Sequence, residues 1–465
     1  MTIGKTRWIA AVIGAAICVS GAFAANDDRV AELEKQIQAL KAQVAAIKGA
    51  SQGTDVAEIE RQIEVLAKEV ESLKLGEAAS DTTSDGRYGL GPSASKVYGI
   101  KKGVSVGGYG EALYSNPSGR LEDGTPSGAD ASVDLLRLVL YFGAKFNDKI
   151  LFNSEIEYEH VTTGEADEER GEVTVEFAYL DFLVRPEVNV RAGLLLVPMG
   201  FINERHEPPT YLTTRRPLVE TRILPTTWSE DGVGVFGDIG SKVSYRAYVT
   251  SGLAAAEGTS SGAEGFAAEG IRDGRSKGGQ ASAEKLALTG RIDGEPLPGL
   301  TLGASFFTVD AGQNIDFAGG TLAARTTVWD AHAEYRWRGL QARALYAATS
   351  IDNVEDINLA QGFTGAASVG SKQSGWYAEA GYDVLSHVEN ARHELSPFVQ
   401  YEQLDTQDEV PTGFAADPAN DIDELTFGLR WKPIEGVAVK VDWTKQETGA
   451  RTGRDEINVS LGFMF

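Results

Sequence analysis

The sequence predicts an all-β chain that crosses a membrane as a barrel of about 16 antiparallel strands, preceded by an α-helical coiled-coil segment. Three observations carry this expectation. Strand-length stretches of alternating apolar and polar residues recur from about residue 104 to residue 465. The connections between them alternate long and short. The first 24 residues have the make-up of a secretory signal peptide.

Composition narrows the class. The chain has 465 residues, 53 of them glycine, and a formal net charge of -24. Its mean hydropathy is -0.19, and no stretch after residue 24 reaches the ~18 apolar residues of a membrane helix. That excludes a helical membrane protein but not a barrel, whose alternating strands carry weak hydropathy. A chain this acidic is not expected to bind nucleic acid.

Residues 1–24 begin with Lys5 and Arg7, continue in an apolar run and end on Ala22, Phe23 and Ala24, a small-x-small cleavage pattern. The one cysteine, Cys18, lies in this segment, so the mature chain is expected to have no disulfide and no thiolate chemistry. Residues 25–75 hold two heptad runs. Val30, Leu33, Ile37, Leu40, Val44 and Ile47 form the first, and Val56, Ile59, Ile63, Leu66, Val70 and Leu73 the second. Charged and amide residues fill the positions between, which is the pattern of a coiled coil that oligomerises. The Gly, Ser, Thr and Asp residues of 76–96 suggest a linker, and 97–465 the barrel.

Strands are expected near 104–114, 133–146, 150–160, 173–185, 189–196, 233–239, 243–251, 285–293, 300–309, 326–337, 340–350, 375–384, 395–404, 423–431, 437–446 and 456–465. The last is the clearest. Ile457, Val459, Leu461, Phe463 and Phe465 alternate with Asn458, Ser460, Gly462 and Met464. In a membrane barrel the apolar set faces lipid and the polar set the lumen. An even strand number puts both ends on the short-turn side, the periplasm, with the coiled coil hanging into it.

A barrel of this size encloses a water-filled lumen, too wide for side chains alone to fill. The expected filter is the connection 197–232, which is rich in Pro, Arg and Glu yet keeps Phe201, Ile202, Tyr211, Leu212 and Trp228. A connection this long inside a compact domain is functional or disordered, and its apolar content argues for the first. Arg205, His206, Arg215, Arg216 and Arg222 are expected to line a constriction, with Glu204, Glu207, Glu220 and Glu230 balancing them. Glu155, Glu157 and Glu159 alternate on the third strand and should face them across the lumen. Facing charges are how a wide pore filters ions. Guanidinium groups hold carboxylate or phosphate by two parallel hydrogen bonds.

His206 and Glu207 open like a zinc-protease motif, but position 210 is Thr where a second His is needed. No metal site and no cofactor are expected, and Glu207 is expected to pair with an arginine. No nucleophile–base spacing stands out, so no enzyme is expected. Trp228, Trp329, Trp337, Trp376, Trp431 and Trp443 suit an interfacial aromatic girdle.

The residues around the long connection resemble the phosphate-selective porin O/P family of Gram-negative outer-membrane porins. The similar residues are Gly193, Pro198, Met199, Gly200, Asn203, His206 to Thr210, Arg216, Pro217, Pro225 to Trp228, and Asp231 to Gly234. A second stretch runs over 272–279 with Gly290 and Arg291. The resemblance implies a barrel in the outer membrane lipid, a homotrimer, and diffusive uptake of small solutes or ions. The acidity of this barrel speaks against phosphate specificity, and a general or weakly anion-preferring pore is expected. A rival expectation is a structural protein that tethers the outer membrane to peptidoglycan through the coiled coil, its pore plugged by loops.

Overall fold

The computed structural model describes residues 86–465 except 161–170, 260 and 389–390, together with Lys35. The chain divides into two units, Met1–Asp81 and Thr82–Phe465, and the description concerns the second. The expected signal peptide, coiled coil and first part of the linker lie outside the described residues.

Eighteen strands follow in order: β1 Gly103–Pro117, β2 Ser132–Lys145, β3 Ile150–Glu159, β4 Glu172–Arg185, β5 Val188–Leu196, β6 Ser229–Ile239, β7 Val243–Thr250, β8 Ala287–Leu297, β9 Leu300–Asp310, β10 Asp316–Phe317, β11 Gly320–Thr321, β12 Arg325–Trp337, β13 Leu340–Ile351, β14 Lys372–Tyr382, β15 Glu394–Glu409, β16 Asp421–Ile434, β17 Val437–Thr448 and β18 Glu456–Met464. All but β10 and β11 form one closed antiparallel sheet, in which β1 pairs with β18 from Tyr109↔Met464 to Pro117↔Glu456. The barrel therefore has 16 strands, one for each expected from the sequence. Hairpin β10–β11 sits in the connection from β9 to β12.

The alternation explains the strands and fixes their sense. On β18, Asn458, Ser460 and Met464 are buried, while Ile457 is 46% exposed. On β17, Lys440 and Asp442 are buried, while Val441 is 42% exposed. Polar side chains point in and apolar ones out, the reverse of a water-soluble sheet. Trp329, Trp337 and Trp376 are exposed on the outer face; Trp228 is not, being fully buried and tilted against Phe307 at 4.4 Å between ring centroids.

Short turns join the strands at one end, as at 186–187, 338–339 and 435–436, and long connections at the other. One short-end connection, 383–393, is longer than the rest. The long connections do not all stand away from the barrel. Val219, Ile223, Leu224 and Trp228 of 197–228 pack with Leu253, Phe266 and Ile271 of 251–286. Inward-facing Phe307, Val328, Leu345, Tyr377 and Leu404 complete this apolar cluster. The expectation of a lumen filled by water is thus corrected for this part. Its inner wall is apolar and would not hold water.

A second cluster lies along β1 to β5. Leu90, Val97 and Tyr98, in the segment ahead of β1, pack against Tyr109, Val139, Tyr141, Phe177 and Leu195. The residues 86–96 expected as linker are therefore part of the barrel's filling.

Candidate functional site

The connection after β5 ends at Trp228, not at 232. Ser229 already pairs with Leu196 and Glu230 with Leu195, so Glu230 belongs to β6. Its carboxylate accepts from Trp228 Nε1 at 3.1 Å and Ser251 Oγ at 2.5 Å.

Asn203 closes the two stems of the loop. Its Nδ2 donates to the carbonyls of Val197 (2.7 Å) and Trp228 (2.9 Å), and its Oδ1 accepts from Trp228 N at 2.7 Å. Five prolines keep the rest out of regular structure. What remains is a 3₁₀ turn at Pro208–Thr210 and a π turn at Val219–Ile223.

The barrel wall holds the loop across the lumen through backbone groups. Glu220 accepts from Phe201 N and Ile202 N, both at 2.7 Å, and from the Tyr377 hydroxyl at 2.6 Å. Burial raises the Glu220 carboxyl above its ordinary value, and these donors work against that. Arg343 donates to Thr210 O at 2.9 Å and Lys440 to Thr213 O at 2.7 Å. Asp442 accepts from Thr214 N at 2.7 Å. Buried charges on β13 and β17 are thereby spent on the loop, which satisfies a backbone that has no ladder partner.

The sequence-chosen residues fall on two sides of the loop. Arg205 faces the short-turn end, where its guanidinium meets Glu334 at 3.4 Å. It lines a cavity of about 520 Å³ with Phe201, Glu204, Arg246 and Arg291. Arg215, Arg216 and Arg222 face the long-loop end, where they line a cavity of about 470 Å³ with Glu157 and Glu159. Arg215 is paired with Glu456 at 3.2 Å. Arg216 donates to Thr226 Oγ1 at 3.3 Å, and its Nε and Nη2 are buried without a partner among the described residues.

His206 and Glu207 line neither cavity. His206 Nε2 contacts Glu155 Oε1 at 2.9 Å, so Glu155 touches the loop directly instead of facing it across open space. Glu157 and Glu159 pair with Arg137 at 3.6 and 3.3 Å. Glu207 pairs with no arginine among the described residues; its Oε1 accepts from Ala94 N at 3.5 Å. Burial raises its carboxyl above the ordinary range, against the lowering effect of His206.

Four residues near these cavities carry no expected role from the sequence, and a fifth, Arg272, is marked there only as part of the resemblance. Arg137 and Arg272 line the long-loop cavity, and Glu111 accepts from the Tyr211 hydroxyl at 3.3 Å. Arg343 and Lys440 hold the loop. Each is a lone charge inside an alternating strand or a Gly-rich connection, and only the inward register of Arg137, Arg343 and Lys440 could have marked those three. No group of three metal-ligating side chains occurs among the described residues.

A protein of Aquifex aeolicus (strain VF5), described as uncharacterized, is 39% identical over 382 residues, covering 81% of this chain and 83% of its own. The chain belongs to the family of that protein. Among solved structures it is similar to OmpF of Salmonella typhi in complex with daunomycin, with a TM-score of 0.51, 13% identity, and 78% of this chain and 98% of that chain covered. It is likewise similar to an anion-selective porin from Comamonas acidovorans, with a TM-score of 0.50, 12% identity, and 78% and 100% covered. At such identities the likeness is one of fold, the porin barrel. No protein-family model matches the chain.

Proposed function

We propose that the chain is a passive diffusion channel of the outer membrane, assembled as a homotrimer and related to the phosphate-selective porin O/P family. One observation carries the reading. On β1 to β3 and the loop beside them, Tyr109 Oη, Tyr141 Oη, Glu155 Oε2, Glu207 Oε2 and two nitrogens of Arg216 are buried with no hydrogen-bond partner among the described residues. A buried polar atom left unpaired costs about 1–3 kcal/mol, so such a strip needs water or solute. None of these residues belongs to the apolar cluster that the loop shares with β9 to β15, while Tyr109 and Tyr141 also contribute to the second cluster. One side of the lumen is apolar and packed by loops; the other mixes apolar side chains with unpaired polar groups, of which Arg216 lines the long-loop cavity.

The mechanism is diffusion guided by fixed charge, with no covalent step and no cofactor. Small hydrophilic solutes pass, and anions are favoured. Arg216, Arg222 and Arg272 have no carboxylate within ion-pair distance among the described residues, whereas Arg137 is offset by Glu111, Glu157 and Glu159. Small structural likeness to an anion-selective porin agrees with this but does not carry it.

The test is the reversal potential in planar bilayers under a salt gradient. The wild type is expected to shift toward the chloride potential, and Arg216→Glu combined with Arg222→Glu toward cations. An unchanged potential in the double variant removes these arginines from the filter. A wild type that never conducts overturns the channel. It would leave the tether to peptidoglycan in front, a role that the loop-packed half of the lumen and the heptad runs also suit.

A further inference from the structure

We propose that residues 86–92 form a second filter of the channel, at its short-turn end and separate from the arginines of the long-loop cavity; the proposal rests on the diffusion-channel reading. The segment ahead of β1 is fastened to the inner wall. Ser93 Oγ donates to Phe465 O at 2.6 Å and accepts from Gly108 N at 2.9 Å. Asn153 Nδ2 donates to Ala94 O at 2.9 Å. The Tyr98 hydroxyl donates to Asp181 at 2.6 Å and accepts from Arg191 at 2.8 Å. These bonds hold 93–98 against β1, β3, β4, β5 and β18, and Leu90, Val97 and Tyr98 are buried behind them.

The residues just ahead lie on the charged groups of the constriction loop. Gly89 has φ +88°, a conformation side chains rarely adopt, and a Cβ there would meet Arg246 and come within 2.6 Å of Glu204. A Cβ on Gly91 would collide with the Glu207 carboxylate. Two glycines thus let the segment approach the loop as closely as backbone allows.

The space left between them is the cavity of about 520 Å³, with Arg87, Tyr88 and Leu90 on one side and Gly200, Phe201 and Arg205 on the other. Glu207 of the polar strip lies against Gly91, between Leu90 and Pro92 of this cavity's wall, which is where a solute leaving the strip enters on this proposal. Its wall charges are largely satisfied: Arg246 by Glu204 (2.9 Å) and Asp293 (3.1 Å), Arg205 by Glu334 (3.4 Å). Arg87 is exposed and in no ion pair among the described residues. The second filter therefore sorts by width, with one unpaired cation at its rim, where the first sorts by charge.

The experiment places a single cysteine in the full chain, whose only native one is Cys18. Arg87→Cys removes an exposed side chain and leaves the fastening bonds in place. A bulky neutral methanethiosulfonate reagent is added on the short-turn side in planar bilayers. The proposal expects loss of roughly half or more of the single-channel current, because pore width limits conduction. The reagent is expected to leave Lys102→Cys, exposed next to β1, and the wild type unchanged. In parallel, Tyr88→Ala is expected to raise the size limit for polymers entering from the short-turn side. Full current in labelled Arg87→Cys, with labelling confirmed by mass, together with an unmoved size limit in Tyr88→Ala, overturns the second filter while the channel reading stands. A wild type without conductance overturns both.

Discussion

His206 ties the loop to β3. Its Nδ1 lies 3.2 Å from Asn203 O and its Nε2 2.9 Å from Glu155, while its ring is edge-on to Tyr109 at 5.8 Å. Burial opposes the charged imidazole, but Glu155 beside it outweighs burial and raises its pKa. The sign follows from linkage. A raised folded pKa means the contact contributes fully below the unfolded value of about 6.5 and is lost as pH rises through the folded value. The loop is therefore expected to loosen on the alkaline side, read as increased current noise in bilayers as pH is raised. His206→Gln should abolish that dependence; noise that rises equally in both proteins would separate it from His206.

At the scale of the element, the loop 197–228 is built from three kinds of contact. Asn203 closes its stems, Glu220 caps its backbone, and Trp228 anchors it in the apolar cluster. Glu220→Ala leaves the Phe201 and Ile202 amides and the Tyr377 hydroxyl without their acceptor, at about 1–3 kcal/mol for each group left dry. The barrel's ladder does not depend on Glu220. The expected result is a channel of larger, noisier conductance with a nearly unchanged barrel unfolding midpoint. A midpoint that falls steeply with unaltered conductance would show the loop to be a core element alone. The long connection could be recognised in the sequence by its prolines and apolar residues. Its contacts could not: Glu220 was placed among the charges lining the lumen, yet it is buried against Tyr377, 157 positions away in the chain.

At the scale of the molecule, the inverted pattern makes a claim about solvent. Val441 points outward near the middle of β17, between inward Lys440 and Asp442. Val441→Arg is expected to cost about 2–4 kcal/mol in folding into lipid vesicles, as an arginine on a lipid face does near the bilayer middle. A cost near zero would mean that this face meets water. The same inversion explains why the strands were legible one by one. The alternation on β16, β17 and β18 is a property of neighbouring residues, and the even strand number is what lets β18 close antiparallel on β1.

What the sequence determined by itself was therefore whatever depends on period and spacing: the 16 strands, their apolar outward faces, and the alternation of long and short connections. Tertiary structure decided what fills the barrel. Phe306 and Phe307 adjoin in the chain, yet one is 41% exposed and the other fully buried in the apolar cluster. Both strand faces are apolar at that end, and period alone does not say that loops will cover the inner one. Residues 86–96 read as a linker because glycine and serine dominate them; those glycines and serines instead serve close approach, at Gly89 and Gly91 to the loop and at Ser93 to Phe465. Local alternation is set by backbone geometry, whereas the contents of a lumen are set by residues far apart that meet only once the sheet has closed.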